Sequence, residues 1–161
     1  MKLTLSKEYL TTPCQQFDFN NPPLDIEDLS LSMIDFIKEN GGAGLALNQV
    51  GFPYKVIAIL GEPSFVMFNP RLVFEGDHLV LLDEGCLSYP GLVVPVKRSN
   101  HIKVRFQAPD GESYTKEFTG LTARVLQQLL NKINGIPLPK TISRAKLDLF
   151  LRKSRSRSKR K

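Results

Sequence analysis

The chain has 161 residues, 42% hydrophobic and 24% charged, the composition of one soluble domain able to bury a core rather than of a disordered chain. No apolar run reaches the roughly 18 residues a membrane helix needs. The start, MKLTLSKEYLTTPC, shows no signal-peptide core, and two cysteines, Cys14 and Cys86, cannot make a disulfide framework, so a cytoplasmic protein with no membrane partner is expected. The net charge of +6 belongs to one end. Residues 151–161, LRKSRSRSKRK, hold seven of the 22 Lys and Arg and no acid, leaving 15 basic against 16 acidic residues in the body. The body is therefore not a basic nucleic-acid binder.

In chain order, the first 24 residues read as an irregular arm punctuated by Pro13, Pro22 and Pro23. From Asp25 to about Glu39, apolar Ile26, Leu29, Met33, Ile34 and Ile37 recur at helical spacing. Gly41, Gly42 and Gly44 stop that helix and open a turn. Short strands are predicted at Lys55–Leu60, Ser64–Asn69 and Leu79–Leu82, and a hairpin at His101–Gln107 and Ser113–Phe118 around Pro109-Asp110-Gly111. Val125, Leu126, Leu129, Leu130 and Ile133 predict a helix over about 121–134, closed by Gly135 and Pro137. A further helix is predicted from Arg144 to about Lys153. Helices flanking strand hairpins indicate an α+β domain over 1–150 followed by a basic Arg/Ser/Lys tail at 151–161.

Two segments hold candidate chemistry. Gly42-Ala43-Gly44-Leu45-Ala46-Leu47-Asn48-Gln49 allows close backbone approach at its glycines; alone it reads more readily as a helix stop and buried turn. Glu84-Gly85-Cys86-Leu87-Ser88 places a cysteine in a Gly- and Pro-flanked turn. Such a cysteine serves as nucleophile, as metal ligand or as a small buried hydrophobe.

Together with Ala123–Gly135, these segments closely resemble, in order and spacing, the three signature motifs of peptide deformylases, in the style of those carried by bacteriophages. The resemblance extends over the arm from Thr12 to Pro23, the helix before Gly42 and Ser143-Arg144. It implies a fold in which antiparallel sheets surround a central helix, at about 121–134 here, with an N-terminal and a C-terminal helix. The family holds Fe²⁺, or Zn²⁺ or Ni²⁺, with two His of a His-Glu-x-x-His helix and one Cys. The two His, four residues apart, share one helix face. The metal-bound water then attacks the N-formyl group of the N-terminal methionine of newly made proteins, with the Glu moving protons.

Carried over residue by residue, the resemblance assigns Gln49 and the backbone N–H of Leu87 to oxyanion stabilisation and Cys86 to the metal thiolate. It assigns Gly42, Gly44, Leu45, Gln49, Glu84, Gly85 and Leu87 to substrate binding. Leu47, where the family usually has Ala, is expected to narrow the pocket. The third motif departs: Gln128 and Lys132 stand at the two metal His and Leu129 at the catalytic Glu, while Asn131 replaces a usual Asp. A Gln amide is a poor ligand for these ions, and a protonated Lys has no lone pair to give. At ~4 Å, an ammonium repels each unit of cation charge by roughly 4 kcal/mol at an effective dielectric near 20. Loss of the Glu alone removes about 10²–10⁴-fold in rate.

No bound metal and no deformylase turnover are expected: a pseudoenzyme of the family, binding nascent peptide or the ribosome. The competing reading is an active deformylase with a centre rebuilt from His78, His101 or Glu84; a third is a structural protein reusing the fold. A Lys132–Cys86 thiolate pair would take over the metal's electrostatic role. The tail reads either as a solvated segment or as a salt-dependent binder of RNA phosphates, and it lacks aromatics for base stacking.

Overall fold

The structure is a computed structural model and describes residues 1–4 and 6–158, without the side chains of Lys7 and of 152–158. The expectations for the tail's side chains lie outside the described residues. Among the described residues, four helices and seven strands follow in order: α1 Lys7–Thr11, α2 Ile26–Asn40, β1 Gly44–Ala46, β2 Val56–Ile59, β3 Phe65–Glu75, β4 Leu79–Glu84, β5 Val94–Ser99, β6 His101–Gln107, β7 Ser113–Thr119, α3 Gly120–Ile133 and α4 Arg144–Ser158. Antiparallel pairing joins β1-β2-β3-β6-β7 into one sheet and β4-β5 into a second. The α+β class is as expected.

The larger sheet lies between α2 and α3, and strand alternation sorts its side chains between them. In β2, Val56 and Ala58 pack with Leu29, Met33 and Ile37 of α2. Ile57 and Ile59 pack instead with Leu126, Leu129, Leu130 and Ile133 of α3. Both faces of β2 are buried, so the strand is apolar throughout. The same alternation continues in β6, where Ile102, Val104 and Phe106 face α3.

Sequence capping sets the helix that leads into the site. Asp25 accepts a hydrogen bond from the Asp28 N–H at 2.8 Å and starts α2. Gly41, at φ 64°, ends it in the left-handed conformation, with the Gly42 N–H closing onto Ile37. The glycine run does not remain a turn. It continues into β1, the unpaired edge of the sheet.

Other elements depart from the sequence expectations. The arm contains a short helix, α1. β3 runs on past Asn69 because that residue takes φ 51° at an irregularity, where its side chain bonds both Phe17 backbone groups and Gln107. β5 has no counterpart among the strands expected from sequence. α4 continues to Ser158, past the expected helix end near Lys153.

Candidate functional site

A cleft of about 550 Å³ opens where the start of β1, the turn after β4 and α3 meet. Gly41–Gly44 and Gln49 form one wall, and Asp83–Leu87 with Pro90 form the other. Arg124, Val125, Gln128, Leu129 and Lys132 of α3 make the floor. The three motif segments, far apart in sequence, are thus brought to one place.

Local geometry explains the closeness. A Cβ on Gly44 would lie 2.8 Å from Leu129 Cδ1 and 2.9 Å from the Ala58 carbonyl oxygen, so only glycine lets β1 approach α3. Beyond β1, a single 3₁₀ turn at Leu47–Val50 buries Gln49 completely. Its Oε1 accepts from the Ala46 N–H at 3.0 Å and from Lys132 Nζ at 3.1 Å, and its Nε2 donates to Ser88 Oγ at 2.9 Å with Cys86 Sγ 3.8 Å away. Asn48 donates to the Lys132 and Tyr9 carbonyls at 2.9 Å each. These bonds tie the turn to the last turn of α3.

Lys132 is 4% exposed. Burial holds its ammonium below the ordinary value, opposed by the neighbouring Cys86, which lies within hydrogen-bonding reach, and by Glu84. Glu84 is buried in a different network. Arg98 binds it with Nε at 2.6 Å and Nη2 at 2.9 Å, Arg124 Nη1 at 2.6 Å, and Gln128 Nε2 at 3.2 Å. Gln128 also donates to the Gly85 carbonyl at 3.0 Å. Arg124 reaches Val96 and Val80 as well, and Gln127 exchanges two hydrogen bonds with the Ser99 backbone. The small sheet is therefore fastened to α3 by polar contacts, whereas the large sheet is fastened to it by apolar ones.

Most of the sequence-derived residues converge: Gly42, Gly44, Gln49, Glu84, Gly85, Cys86, Leu87, Gln128, Leu129 and Lys132 all line the cleft. Leu45 does not. Alternation in β1 points it into the α2-side core, fully buried. Leu47 packs in the same core and does not narrow the cleft, contrary to expectation. His101 lies on β6 beside Glu117, at 3.1 Å, and His78 is exposed between β3 and β4. Neither lines the cleft. Ser88 and Arg124 lie inside the motif segments without an assigned role and Arg98 lies outside them; the fold brings Ser88 to Gln49 and both arginines to Glu84.

Among the described residues, no three His, Cys, Asp or Glu side chains lie close enough to share an ion. At the positions the resemblance assigns to the metal stand a thiol, an amide already bonded to Glu84 and Gly85, and a buried ammonium. This donor set does not fit Fe²⁺, Zn²⁺ or Ni²⁺.

Comparison with known proteins identifies the scaffold. A family model described as polypeptide deformylase matches residues 3–148. Peptide deformylase of Thermotoga petrophila is 34% identical over 142 residues, covering 88% of this chain and 83% of that protein. Among solved structures, the peptide deformylase of Thermus thermophilus superposes with a TM-score of 0.84 at 28% identity, covering 96% and 92% of the two chains. That of the Vibrio parahaemolyticus bacteriophage VP16T gives 0.78 at 32% identity, covering 86% and 100%. Fold, motif order and relatives agree, and the chain belongs to the peptide deformylase family.

Proposed function

We propose that this chain is a metal-free member of the family that retains the peptide cleft and does not hydrolyse N-formyl groups. One observation carries the reading: the Lys132 ammonium is buried on the cleft floor, 3.1 Å from Gln49 Oε1 and within reach of Cys86, where the resemblance assigns a metal His. A fixed cation there repels a metal ion electrostatically and offers it no lone pair. Leu129, 1% exposed and packed in the α3-side core, provides no proton-transfer group where the resemblance assigns the Glu.

What remains serves binding. The unpaired edge of β1 borders the cleft and is suited to an extended peptide added as a further strand. The role that follows is occupancy of a nascent-chain or ribosomal site without turnover, in the cytoplasm, with the basic tail adding salt-dependent attraction to RNA phosphates. The VP16T relative and a probable peptide deformylase of Synechococcus phage S-SSM7 support a bacteriophage origin.

A formyl-Met-Ala-Ser assay with Fe²⁺, Ni²⁺ or Zn²⁺ added in turn tests the reading. No turnover above the uncatalysed rate is expected. Metal-dependent release of formate would instead establish an active deformylase with an unusual centre.

A further inference from the structure

The buried charges at the cleft and directly behind it do not balance. The Glu84 carboxylate accepts from Arg98 twice, from Arg124 and from Gln128, which fills the roughly four lone-pair positions such a group offers. It has no acceptor site left for Lys132. Asp83, the other acid lining the cleft, is exposed. Lys132 makes no ion pair among the described residues and has Gln49 Oε1 as its one oxygen acceptor. Three buried cations, Arg98, Arg124 and Lys132, thus face one buried carboxylate. The close polar neighbours of Lys132 are the Gln49 oxygen and the Cys86 sulfur; an ammonium taken from water without a carboxylate partner is costly, and an anion entering the cleft relieves that cost. A second donor stands in the same cleft: the Leu87 backbone N–H has no acceptor among the described residues.

We propose that the cleft binds a carboxylate-bearing ligand, its anionic oxygens held by the Lys132 ammonium and the Leu87 N–H. This deepens the metal-free reading and rests on it. A formyl or amide carbonyl is neutral and leaves the ammonium uncompensated, whereas a carboxylate supplies both the charge and charge-assisted hydrogen bonds. The carboxylate belongs either to a free small acid or to the end of a peptide lying along the edge of β1.

The test is a titration of the full chain at pH 7, followed by amide ¹H–¹⁵N shifts, with acetate, N-acetyl-leucine and N-acetyl-leucinamide. Metal content is measured on the same sample. The acid is expected to bind about tenfold or more tightly than the amide, a difference of one charge-assisted contact. Lys132→Met abolishes that preference, the acid and the amide then binding alike, and Lys132→Gln does the same should the first variant fold poorly. Acetate binding as tightly as N-acetyl-leucine identifies a free small acid; weaker acetate binding identifies a chain end. Equal affinity of wild type for acid and amide, as a Cys86 thiolate neutralising Lys132 would produce, overturns the proposal. So does a preference that survives in both variants. A protein carrying stoichiometric metal overturns the metal-free reading and this site with it; an empty protein indifferent to ligand charge overturns the carboxylate site alone.

Discussion

Burial holds the Lys132 ammonium below its ordinary value of 10.5, and the sign of its contribution follows. The unfolded chain takes up this proton more readily than the folded one, so folding stability falls as pH drops from 10.5 toward the depressed folded value and is level below it. Lys132→Met removes this penalty. The variant is expected to be more stable than wild type at pH 7 by about 1–4 kcal/mol, the range for replacing buried charge with apolar groups. Its advantage shrinks as pH rises toward 10.5, measured by urea unfolding across that range. Cys14, whose thiol burial pushes up from 9.0 to about 11, works oppositely: its contribution is lost as pH rises from 9 toward 11. That loss is common to both proteins and cancels in the comparison. Lys132 is legible in the sequence as a departure from the motif because the flanking residues fix the alignment. The network of Glu84 is not, since Arg98 and Arg124 stand 14 and 40 residues from Glu84 and no spacing rule joins them.

Among elements, α3 carries the site by serving two sheets at once, apolar on one face and polar on the other. The Glu84 network is the polar fastening. Glu84→Gln leaves two buried guanidinium groups against a neutral amide, and a loss of about 3–5 kcal/mol is expected, as for removal of one partner of a buried pair; urea unfolding reads it directly. A loss below about 1 kcal/mol, the worth of an exposed pair, would show that water reaches these groups. The elements legible in the sequence are those with long periodic patterns: α2 and α3 lie within one residue of expectation at each end. β1 escapes a sequence reading because three residues beginning with Gly44 have no period to detect. β5 escapes it because Pro95 and Lys97 interrupt a short apolar run that becomes a strand only by pairing with β4. β3 looks shorter than it is because Asn69-Pro70 reads as a stop, yet Asn69 there anchors the arm through Phe17.

At the scale of the whole molecule, the polypeptide deformylase family model matches residues 3–148, while Gln128, Leu129 and Lys132 stand at the positions to which the resemblance assigns the metal and proton-transfer residues. The scaffold places residues 128 and 132 on one face of an unbroken helix, beside Cys86. The triple variant Gln128→His, Leu129→Glu, Lys132→His is therefore expected to take up about one equivalent of Zn²⁺ per chain, the capacity of a three-ligand site. For the natural sequence, metal content by elemental mass spectrometry after anaerobic purification without chelators tests whether the cleft is metal-free. A folded protein without stoichiometric metal is expected. Near-stoichiometric iron, nickel or zinc would contradict it, and would mean that Gln128 and Lys132 do not prevent metal binding.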